Sequence, residues 1–425
     1  MALGDTGSTG ASERANSIQA ILSAQITLEA ERTTVWDQFT YTPEDAVLPT
    51  GGRMAGQTVT LRFQESLPIS TALSPIPEKA DIDPQEFDDN VVSVTVDEYG
   101  NTAQPTEWAR HVTKGDLDKE IAEGMAENSV AVHDRLAMRQ YIGAPVHLFP
   151  NGNSAKSGLD ATNDTLLSSS VGLSFLGQAQ SMLRSRRVPG FNTDKDGRPK
   201  YSTVVHSLLM QDVPLTSGYL SALQMREGSD TLFNGEVMEL NGLKFMESSQ
   251  GKVYPSAGAT AQAATTLNGA VSKGATSIVV TSATGLAVGD FVAIGAVETD
   301  NTDSVGIESV LITAVNGTTL TIAGAGYSTG DVATSGLRYA HATGVAVTEA
   351  ATVAAIPIFG PKAVMKAYAG DLGAFGEARV TGPFDRLGRF KNYGWYSIVG
   401  WARTMGLWII VPEVACAQNS ILINE

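Results

Sequence analysis

The chain has 425 residues, of which 29 are basic and 45 are acidic, and its formal net charge is −16. A protein whose main task is to grip phosphates has a basic surface, so this acidity argues against that class. The acidity suits a container that holds nucleic acid without adhering to it, or it serves solubility alone. The single cysteine, Cys416, excludes an internal disulfide and a cysteine metal cluster. Without a signal peptide or an apolar run long enough for a bilayer, we expect a soluble protein that is not secreted by an ordinary route.

The first hundred residues predict a helix and an extended arm. Residues 1–12 have the composition of a flexible tail, and apolar spacing over 13–36 predicts an amphipathic helix that lies on a neighbour. Alternation over 57–63 and 91–96 predicts two paired strands. The 27 residues between them, 64–90, contain four prolines and a cluster of acids. Because so long an excursion is unusual inside a compact domain, we interpret it as an arm that extends from the body.

Residues 113–142 form the longest periodic segment and predict a helix of about 40 Å. Thr113 and Asp116 resemble a capping box at its start, and Gly143 with Pro145 ends it. The stripe expected to face the core is apolar: Leu117, Ile121, Met125, Val132 and Leu136. The face expected to be solvated is charged: Glu120, Glu123, Glu127, Arg135 and Arg139.

The region from 146 to 250 predicts mixed α/β structure. We expect a helix over 175–184, a turn over 194–197, a mostly apolar strand over 202–210 and short alternating pieces over 235–247.

A change in composition at about residue 257 predicts a separate module. Residues 258–349 contain no Met, Cys or Trp, and their two basic and seven acidic residues give a net charge of −5. Short strands are expected over 276–281, 290–294, 309–315 and 318–323, and Asn316-Gly317 between the last two is a tight-hairpin signal. We interpret 258–349 as a small all-β module inserted into a host domain. The host pattern resumes after 350, with buried strands expected over 395–401 and 407–411.

Candidate residues for chemistry are few. No two of the five histidines lie at metal-ligand spacing: His111, His133, His147, His206 and His341. Gly324-x-Gly326 lacks the following helix that a dinucleotide site requires. Asp300, Asn301 and Asp303 do not follow the EF-hand pattern, so we interpret them as a solvated loop. The sequence therefore predicts no catalytic, cofactor-binding or metal-binding residue and no cofactor.

Two basic clusters stand out from the acidic background. The first comprises Arg184, Arg186, Arg187, Lys195, Arg198 and Lys200. The second comprises Arg379, Arg386, Arg389, Lys391 and Arg403, interleaved with Phe384, Phe390, Tyr393 and Trp395. Basic residues with aromatics can bind single-stranded nucleic acid by charge and stacking. We favour the alternative, in which the arginines pair with acidic surfaces of neighbouring subunits and the aromatics fill a sheet core.

Short motifs, in order, carry a resemblance to a known family. They are Val94-x-Val96-x-x-Tyr99-Gly100, the stretch from Thr106 to Gly115, His133-Asp134-Arg135 leading to Gly143, Gly235-Glu236-Val237 with Gly242 to Glu247, and Asp385-Arg386-Leu387-Gly388-Arg389 before Gly394-Trp395. Together with the order of the predicted parts, they resemble the major capsid proteins of tailed phages with the Hong Kong 97 fold. The motifs are most similar to those of the coat-protein family of phage N-four, and the resemblance covers roughly residues 30–257 and 350–420.

The resemblance implies an α+β fold of the Hong Kong 97 type with an inserted all-β domain. Its parts would be an N-terminal arm (1–50), an extended hairpin arm or E-loop (51–104), a peripheral domain with a spine helix (105–145), the first part of an axial domain (146–257), a surface-projecting insertion (258–349) and C-terminal strands (350–425).

The implied function is that of a non-enzymatic coat protein. Its copies would assemble in the host cytoplasm into hexamers and pentamers of an icosahedral virion shell that encloses double-stranded DNA without binding it specifically. Implied partners are other copies of the chain, a portal protein and a scaffolding protein, with no membrane, and whether a decoration protein binds stays open. Some phage shells are crosslinked by Lys–Asn isopeptide bonds, which makes Lys79 with Asn392 or Asn419 a candidate pair, although a lysine at an arm tip is usually solvated.

Three other classes of protein stay open at this point. An encapsulin-like nanocompartment shell would share the fold and hold an enzyme. A bacterial surface adhesion protein would explain the Thr/Gly/Ala-rich module, but the absence of a signal peptide argues against it. An enzyme is the third alternative. The sequence argues against it, because no set of Ser, His and Asp residues, metal ligands or phosphate-binding residues can be recognised.

Overall fold

The computed structural model describes residues 26, 33–43, 46–48, 58–64, 89–112, 117–193, 197–210, 212–213, 236–240, 242–255, 257–258, 263–295, 307–323, 336–337, 339–370, 372–381 and 392–416. Its helices are α1 (Glu107–Val112), α2 (Leu117–Ile142), α3 (Gly172–Ser185) and α4 (Ser207–Met210). The chain divides into two compact units, the first of Met1–Ala137 with Val364–Thr404 and the second of Met138–Ala363 with Met405–Glu425. The fold mixes helices with a larger share of strands, in agreement with the predicted α+β class.

The strands, in chain order, are β1 (Val47–Leu48), β2 (Thr58–Gln64), β3 (Asp89–Thr95), β4 (Asp97–Ala103), β5 (His147–Leu148), β6 (Asn192–Thr193), β7 (Pro199–His206), β8 (Glu236–Leu240), β9 (Leu243–Ser248), β10 (Val253–Tyr254), β11 (Ala264–Thr266), β12 (Ser277–Val279), β13 (Phe291–Ile294), β14 (Glu308–Asn316), β15 (Thr319–Ala323), β16 (Ala346–Thr348), β17 (Val353–Ala355), β18 (Ile358–Phe359), β19 (Val364–Ala369), β20 (Glu377–Thr381), β21 (Asn392–Arg403) and β22 (Ile409–Ala415).

The first unit is organised around β21, its longest strand. β21 pairs antiparallel with β19, β20 and β4, and β1 adds to β19 in parallel. Two apolar clusters pack on this sheet, one centred on Met365 and Ala367 of β19 and the other on Tyr393 and Trp395 of β21. The aromatic residues of the second basic cluster that the structure describes thus fill a sheet core, as the favoured interpretation predicted.

The predicted paired strands are present as a separate two-stranded ladder. β2 and β3 pair without interruption from Thr58 opposite Thr95 to Gln64 opposite Asp89. Burial falls along the inward face of β3: Val94 is fully buried, whereas Val92, the next residue on the same face, is only half-buried. The ladder therefore stays paired beyond the point where the core of the unit supports it. The excursion predicted over 64–90 lies outside the described residues except at its two ends.

The long helix exists, and the predicted apolar stripe covers only part of the face that it buries. Described from Leu117 onward, the helix ends at Ile142, and the proposed capping residues Thr113 and Asp116 lie outside the described residues. Ile121, Met125 and Val132 of the stripe are half-buried and pack against the cluster around Trp395. Beside that stripe, several of the fully buried residues are small or polar: Ala122, Ala126, Ser129, His133, Asp134 and Ala137. An apolar periodicity misses these positions because small and polar side chains contribute little to it.

The second unit contains a nine-stranded sheet of order β10-β17-β22-β18-β7-β9-β8, with β5 on β22 and β6 on β7. α3 packs its buried residues Phe175, Leu176, Ala179 and Leu183 into the core of this sheet. Two strands of this sheet have bounds that differ from the predicted ones. The strand predicted over 202–210 turns into α4 at Ser207, and the strand predicted over 407–411 begins at Ile409, because Gly406–Trp408 form a 3-10 turn with Leu407 57% exposed.

Residues 264–348 form a six-stranded sheet of their own within the second unit. Its order is β11-β16-β13-β14-β15-β12, and it encloses an apolar cluster that includes Ile278, Val292 and Ile312. A tight hairpin joins β14 to β15 as predicted, but its turn lies at Gly317 and Thr318, one residue beyond the predicted pair, because Asn316 ends β14 and pairs with Thr319. Gly317, at the first turn position, has a positive φ of 63°. The first strand, β11, pairs with the last, β16, so that the chain enters and leaves this sheet at adjacent positions.

We predict that Gly400→Ala destabilises the first unit. A Cβ at this position of β21 would collide with the carbonyl oxygen of Thr95 and lie 3.0 Å from Val94 Cγ1, at the base of the β2–β3 ladder. Relief of such a collision requires a backbone shift, and we expect a loss of about 1–3 kcal/mol in the free energy of unfolding, measured by urea denaturation of unassembled subunits.

The matched control is Gly124→Ala in α2, where a Cβ meets nothing within 4 Å. The same substitution in an exposed helix is expected to stabilise by about 0.5–1 kcal/mol. Equal effects of the two changes would contradict the close approach of β3 to β21.

Candidate functional site

The most concentrated group of buried polar side chains lies in the first unit, and we call it the polar centre: Asp37, His133, Asp134, Lys366 and Trp401. Asp134, on the buried face of α2, accepts hydrogen bonds through Oδ1 from three consecutive backbone N–H groups, those of Val35, Trp36 and Asp37, at 3.1, 2.7 and 3.0 Å. The side chain of Asp134 thereby accepts from N–H groups at the start of the 3-10 helix Asp37–Phe39, which the helix itself leaves without acceptors.

Asp37 forms the second half of the polar centre. Its Oδ2 is 2.5 Å from Lys366 Nζ, and its Oδ1 accepts a hydrogen bond of 3.0 Å from Trp401 Nε1. The Lys366 and Asp37 side chains are 3% and 4% exposed, so each charge has lost its water and depends on the other. Lys366 also lies 4.3 Å from the centroid of the Phe375 ring.

His133 is enclosed by aromatic rings. Its ring centroid lies 5.8, 5.6 and 5.7 Å from those of Phe375, Trp395 and Trp401. Nδ1 is 2.7 Å from the carbonyl oxygen of Ser129, which can only accept, so Nδ1 carries the proton. The buried Nε2 has no hydrogen-bond partner among the residues that the structure describes. Burial, and to a lesser degree the charge of Lys366, lowers the pKa of His133 to about 4, which keeps the ring neutral at pH 7.

Asp134 experiences opposing effects. Burial raises its pKa to about 7, although its hydrogen bonds from the backbone favour the carboxylate. Neither it nor His133 is exposed to solvent, and each is occupied with backbone groups. A general acid or base must reach a substrate, so this geometry suits a structural clamp between the 33–41 segment, α2 and the sheet, and not catalysis.

Two other histidines contact glutamate carboxyl groups in the second unit. His147 Nδ1 is 2.6 Å from Oε1 of the fully buried Glu413, and Lys156 Nζ approaches the same oxygen at 3.4 Å. In the six-stranded sheet, His341 Nε2 lies 2.7 Å from Glu308 Oε1, and both side chains are buried. These contacts join residues that are 266 and 33 positions apart in sequence.

The remaining two histidines lie in different surroundings. His206 ends β7, where its Nδ1 accepts the Leu208 backbone N–H at 3.1 Å and burial lowers its pKa. His111 is exposed in α1. Within the described residues no group of three or more His, Cys, Asp or Glu could hold a metal ion, and no helix is long and apolar enough to cross a membrane.

The two basic clusters have different environments. Arg186, Arg187 and Arg198 are exposed in the second unit, whereas Lys200 is half-buried and pairs with Glu239 at 2.5 Å. In the first unit, Arg379 stacks 4.5 Å above the Tyr396 ring, and burial lowers the pKa of Arg403.

Several predicted candidates fall outside the described residues. They are Lys79, Lys195, the 300–303 loop, Gly324, Gly326, Phe384, Arg386, Arg389, Phe390, Lys391 and Asn419. Asn392, the remaining candidate for a crosslink, is half-buried at the start of β21.

Comparison with known proteins yields likenesses of fold alone. No family model matches the sequence, and no curated protein matches it. The chain is similar to the capsid of Ralstonia phage GP4, with a TM-score of 0.49, 10% identity and coverage of 91% of this chain and 92% of that one. It is also similar to the cyanophage Pam1 capsid, with a TM-score of 0.49, 11% identity and coverage of 90% and 93%. At such scores the likenesses assign no function by themselves.

A double-mutant cycle tests the ion pair of the polar centre. Lys366→Met leaves the Asp37 carboxylate buried without its cation, and we expect a loss of about 3–5 kcal/mol in the free energy of unfolding. Adding Asp37→Asn removes the orphaned charge, so the double variant should be more stable than Lys366→Met alone. Additive losses in urea denaturation would show that the two side chains are not coupled.

The pH dependence of unfolding tests the neutral His133. Because its pKa in the folded state, about 4, is below the ordinary histidine value of 6.5, its contribution to stability is complete above pH 6.5 and is lost as the pH falls through 4. Asp134, with a raised pKa, acts in the opposite direction over the same range. The comparison with His133→Phe therefore isolates the histidine.

We expect the wild type to gain roughly 3 kcal/mol over His133→Phe between pH 4 and 6.5, measured by urea denaturation at each pH. His111→Phe, the same change at an exposed position, is the control and should show no such gain. A constant difference between the wild type and His133→Phe across this range would contradict a buried neutral ring.

Proposed function

We propose that the chain is the major coat protein of a tailed bacteriophage, with a Hong Kong 97-type fold and motifs most similar to the phage N-four family. Its copies assemble into hexamers and pentamers of an icosahedral shell that encloses double-stranded DNA. The observation that carries the proposal is the β2–β3 ladder, a hairpin arm whose strands remain paired beyond the core that anchors them.

The anchoring of this arm supports a role in holding neighbours. Its base is fixed by the buried Val94 and Val96, while its outer end is joined by 24 residues, 65–88, rich in proline and acid. A rigid base with an extended end can lie over a second copy and bury surface there. Each such contact need only be modest, because a closed shell repeats it in every subunit.

The other parts take the roles that the resemblance implies. Residues 1–50 serve as the N-terminal arm, 51–104 as the E-loop, and the 105–145 region as the peripheral domain with α2 as its spine. Residues 146–257 and part of 350–425 build the axial domain, and the 258–349 module projects outward.

The acidic chain suits a DNA container, because like charge keeps the wall from adhering to the packaged duplex. The portal, the scaffold and the virion location belong to the same proposal, with assembly in the host cytoplasm. Electron microscopy of the purified protein tests it: icosahedral shells or five- and six-membered rings are expected, and a stable monomer under all conditions would overturn it. Shells that hold a protein cargo and no DNA would favour the encapsulin-like alternative.

Shortening the arm tests its role. Gln64 and Asp89 lie opposite each other at the described end of the ladder, so an Asn-Gly turn can replace residues 65–88 without disturbing the pairing. We expect the shortened subunit to unfold at the same urea concentration as the wild type but to form no shells.

The matched control removes the six-stranded sheet. The Glu349 N–H donates to the Ala263 carbonyl oxygen at 2.9 Å, so a short glycine linker can join these two residues. This variant should still form shells. Shells of normal yield from the shortened-arm variant would show that the arm does not hold the neighbours together.

A further inference from the structure

Three exposed arginines mark one corner of the second unit. Arg186 and Arg187 follow the last turn of α3, and Arg198 precedes β7. The chain after α3 runs beside β7, since Tyr201 Oη donates to the Val188 carbonyl oxygen at 2.9 Å and the Phe191 N–H donates to Lys200. We call Arg186, Arg187, Arg198 and the adjacent Leu407 the basic corner.

None of the three arginines forms an ion pair with a described residue. Lys200, by contrast, is neutralised by Glu239. Arg186 does donate from Nη1 to the Leu407 carbonyl oxygen at 2.9 Å, which fixes its position beside that residue. The negative end of the α3 dipole stabilises the charges of Arg186 and Arg187. Arg198 lies in a hairpin, where no helix dipole stabilises its charge.

Arg187 occupies a position where glycine is usual. The Val188 N–H bonds to the Leu183 carbonyl and the Arg187 N–H to that of Arg184, which is a Schellman motif with Arg187 at its left-handed residue, φ 56°. Glycine adopts this conformation without strain, whereas a side chain opposes it. An arginine held there, exposed and without an acidic partner among the described residues, points to a partner outside the subunit.

Leu407 gives the basic corner an apolar component. It is 57% exposed on the 3-10 turn, and the hydrogen bond from Arg186 places it next to the arginines. An exposed leucine beside arginines fits a polypeptide that offers both apolar side chains and carboxylates. A phosphate backbone would use the arginines but leave the leucine in water.

The segment 65–88 of this chain has both properties. It contains six acidic residues and one lysine, a net charge of −5, in a chain with few other acidic runs. The same segment carries six large apolar residues: Leu67, Ile69, Leu73, Ile76, Ile82 and Phe87. Its charge and apolar content complement those of the basic corner.

We infer that the basic corner of one subunit is the docking surface for the acidic arm segment 65–88 of a second copy of this chain. The inference rests on the proposed function and names the contact surface of its arm. Oppositely charged patches select the correct neighbour and suppress wrong ones during assembly, and the apolar contact of Leu407 adds attraction that salt does not screen.

Charge reversal with compensation tests the pairing. Arg187→Glu with Arg198→Glu should lower the yield of shells about tenfold or more, because every subunit repeats the lost contact. Adding Asp81→Arg and Asp83→Arg in the arm should restore the yield. Lys119→Glu with Lys273→Glu, at two exposed lysines elsewhere, makes the same change in net charge and should leave the yield unchanged. All variants are first checked for an unchanged urea midpoint.

A crosslink gives the second readout. Arg187→Lys keeps the charge and supplies an amine that a zero-length carbodiimide reagent can join to a carboxylate. Mixed shells of isotopically labelled and unlabelled subunits should yield crosslinked peptides that join position 187 of one copy to residues 65–88 of another. Crosslinks found only within one copy would overturn the inference.

The remaining outcomes are distinct. Failure of the wild type to form shells under any condition would overturn the proposed function and, with it, this inference. Wild-type shells whose yield is insensitive to the double arginine reversal would overturn the inference alone. Shells of normal yield that lose nucleic acid on the reversal would assign the basic corner to nucleic acid instead.

Discussion

A buried charge must be paired, and the ion pair of Asp37 with Lys366 is the constraint on which the first unit depends. The backbone N–H groups that lead into the short 3-10 helix at Asp37 need acceptors from elsewhere in the unit. The Asp134 side chain accepts three hydrogen bonds from them. Removal of either partner would leave a charge in apolar surroundings. The irregular segment, the long helix and the sheet are therefore held in one arrangement, and the pair contributes specificity more than net stability.

The hairpin arm depends on the same strand that bears Lys366. Side chains alternate along β19, so Lys366 faces the polar centre while its neighbours Met365 and Ala367 pack with the buried base of the arm, Val94 and Val96. One strand thus joins the polar centre on one face to the anchored arm on the other. The base of the arm therefore packs directly on the strand that carries Lys366.

Features with a strong local signal were predictable from sequence. The period-two strands of the arm, the hairpin between β14 and β15 and the existence of the long helix all follow from short-range patterns. The buried face of that helix was not predictable in the same way, since it uses small residues with His133 and Asp134, which an apolar stripe ignores. Four-residue spacing of small residues was the available signal. The pairing of Asp37 with Lys366 joins residues 329 apart in sequence, which no local pattern reports.

Burial separates two kinds of charge interaction in this chain, and the two respond differently to salt. Inside a subunit, charges such as Asp37 and Lys366 are shielded from solvent ions, so salt changes their interaction little. Between subunits, exposed arginines and an acidic arm would meet through water, where the attraction is screened and each contact is weak and reversible. Weak contacts let a misplaced subunit dissociate, while repetition over a closed shell makes the completed particle stable. A subunit that stays folded at high salt and assembles only at lower salt follows from this arrangement.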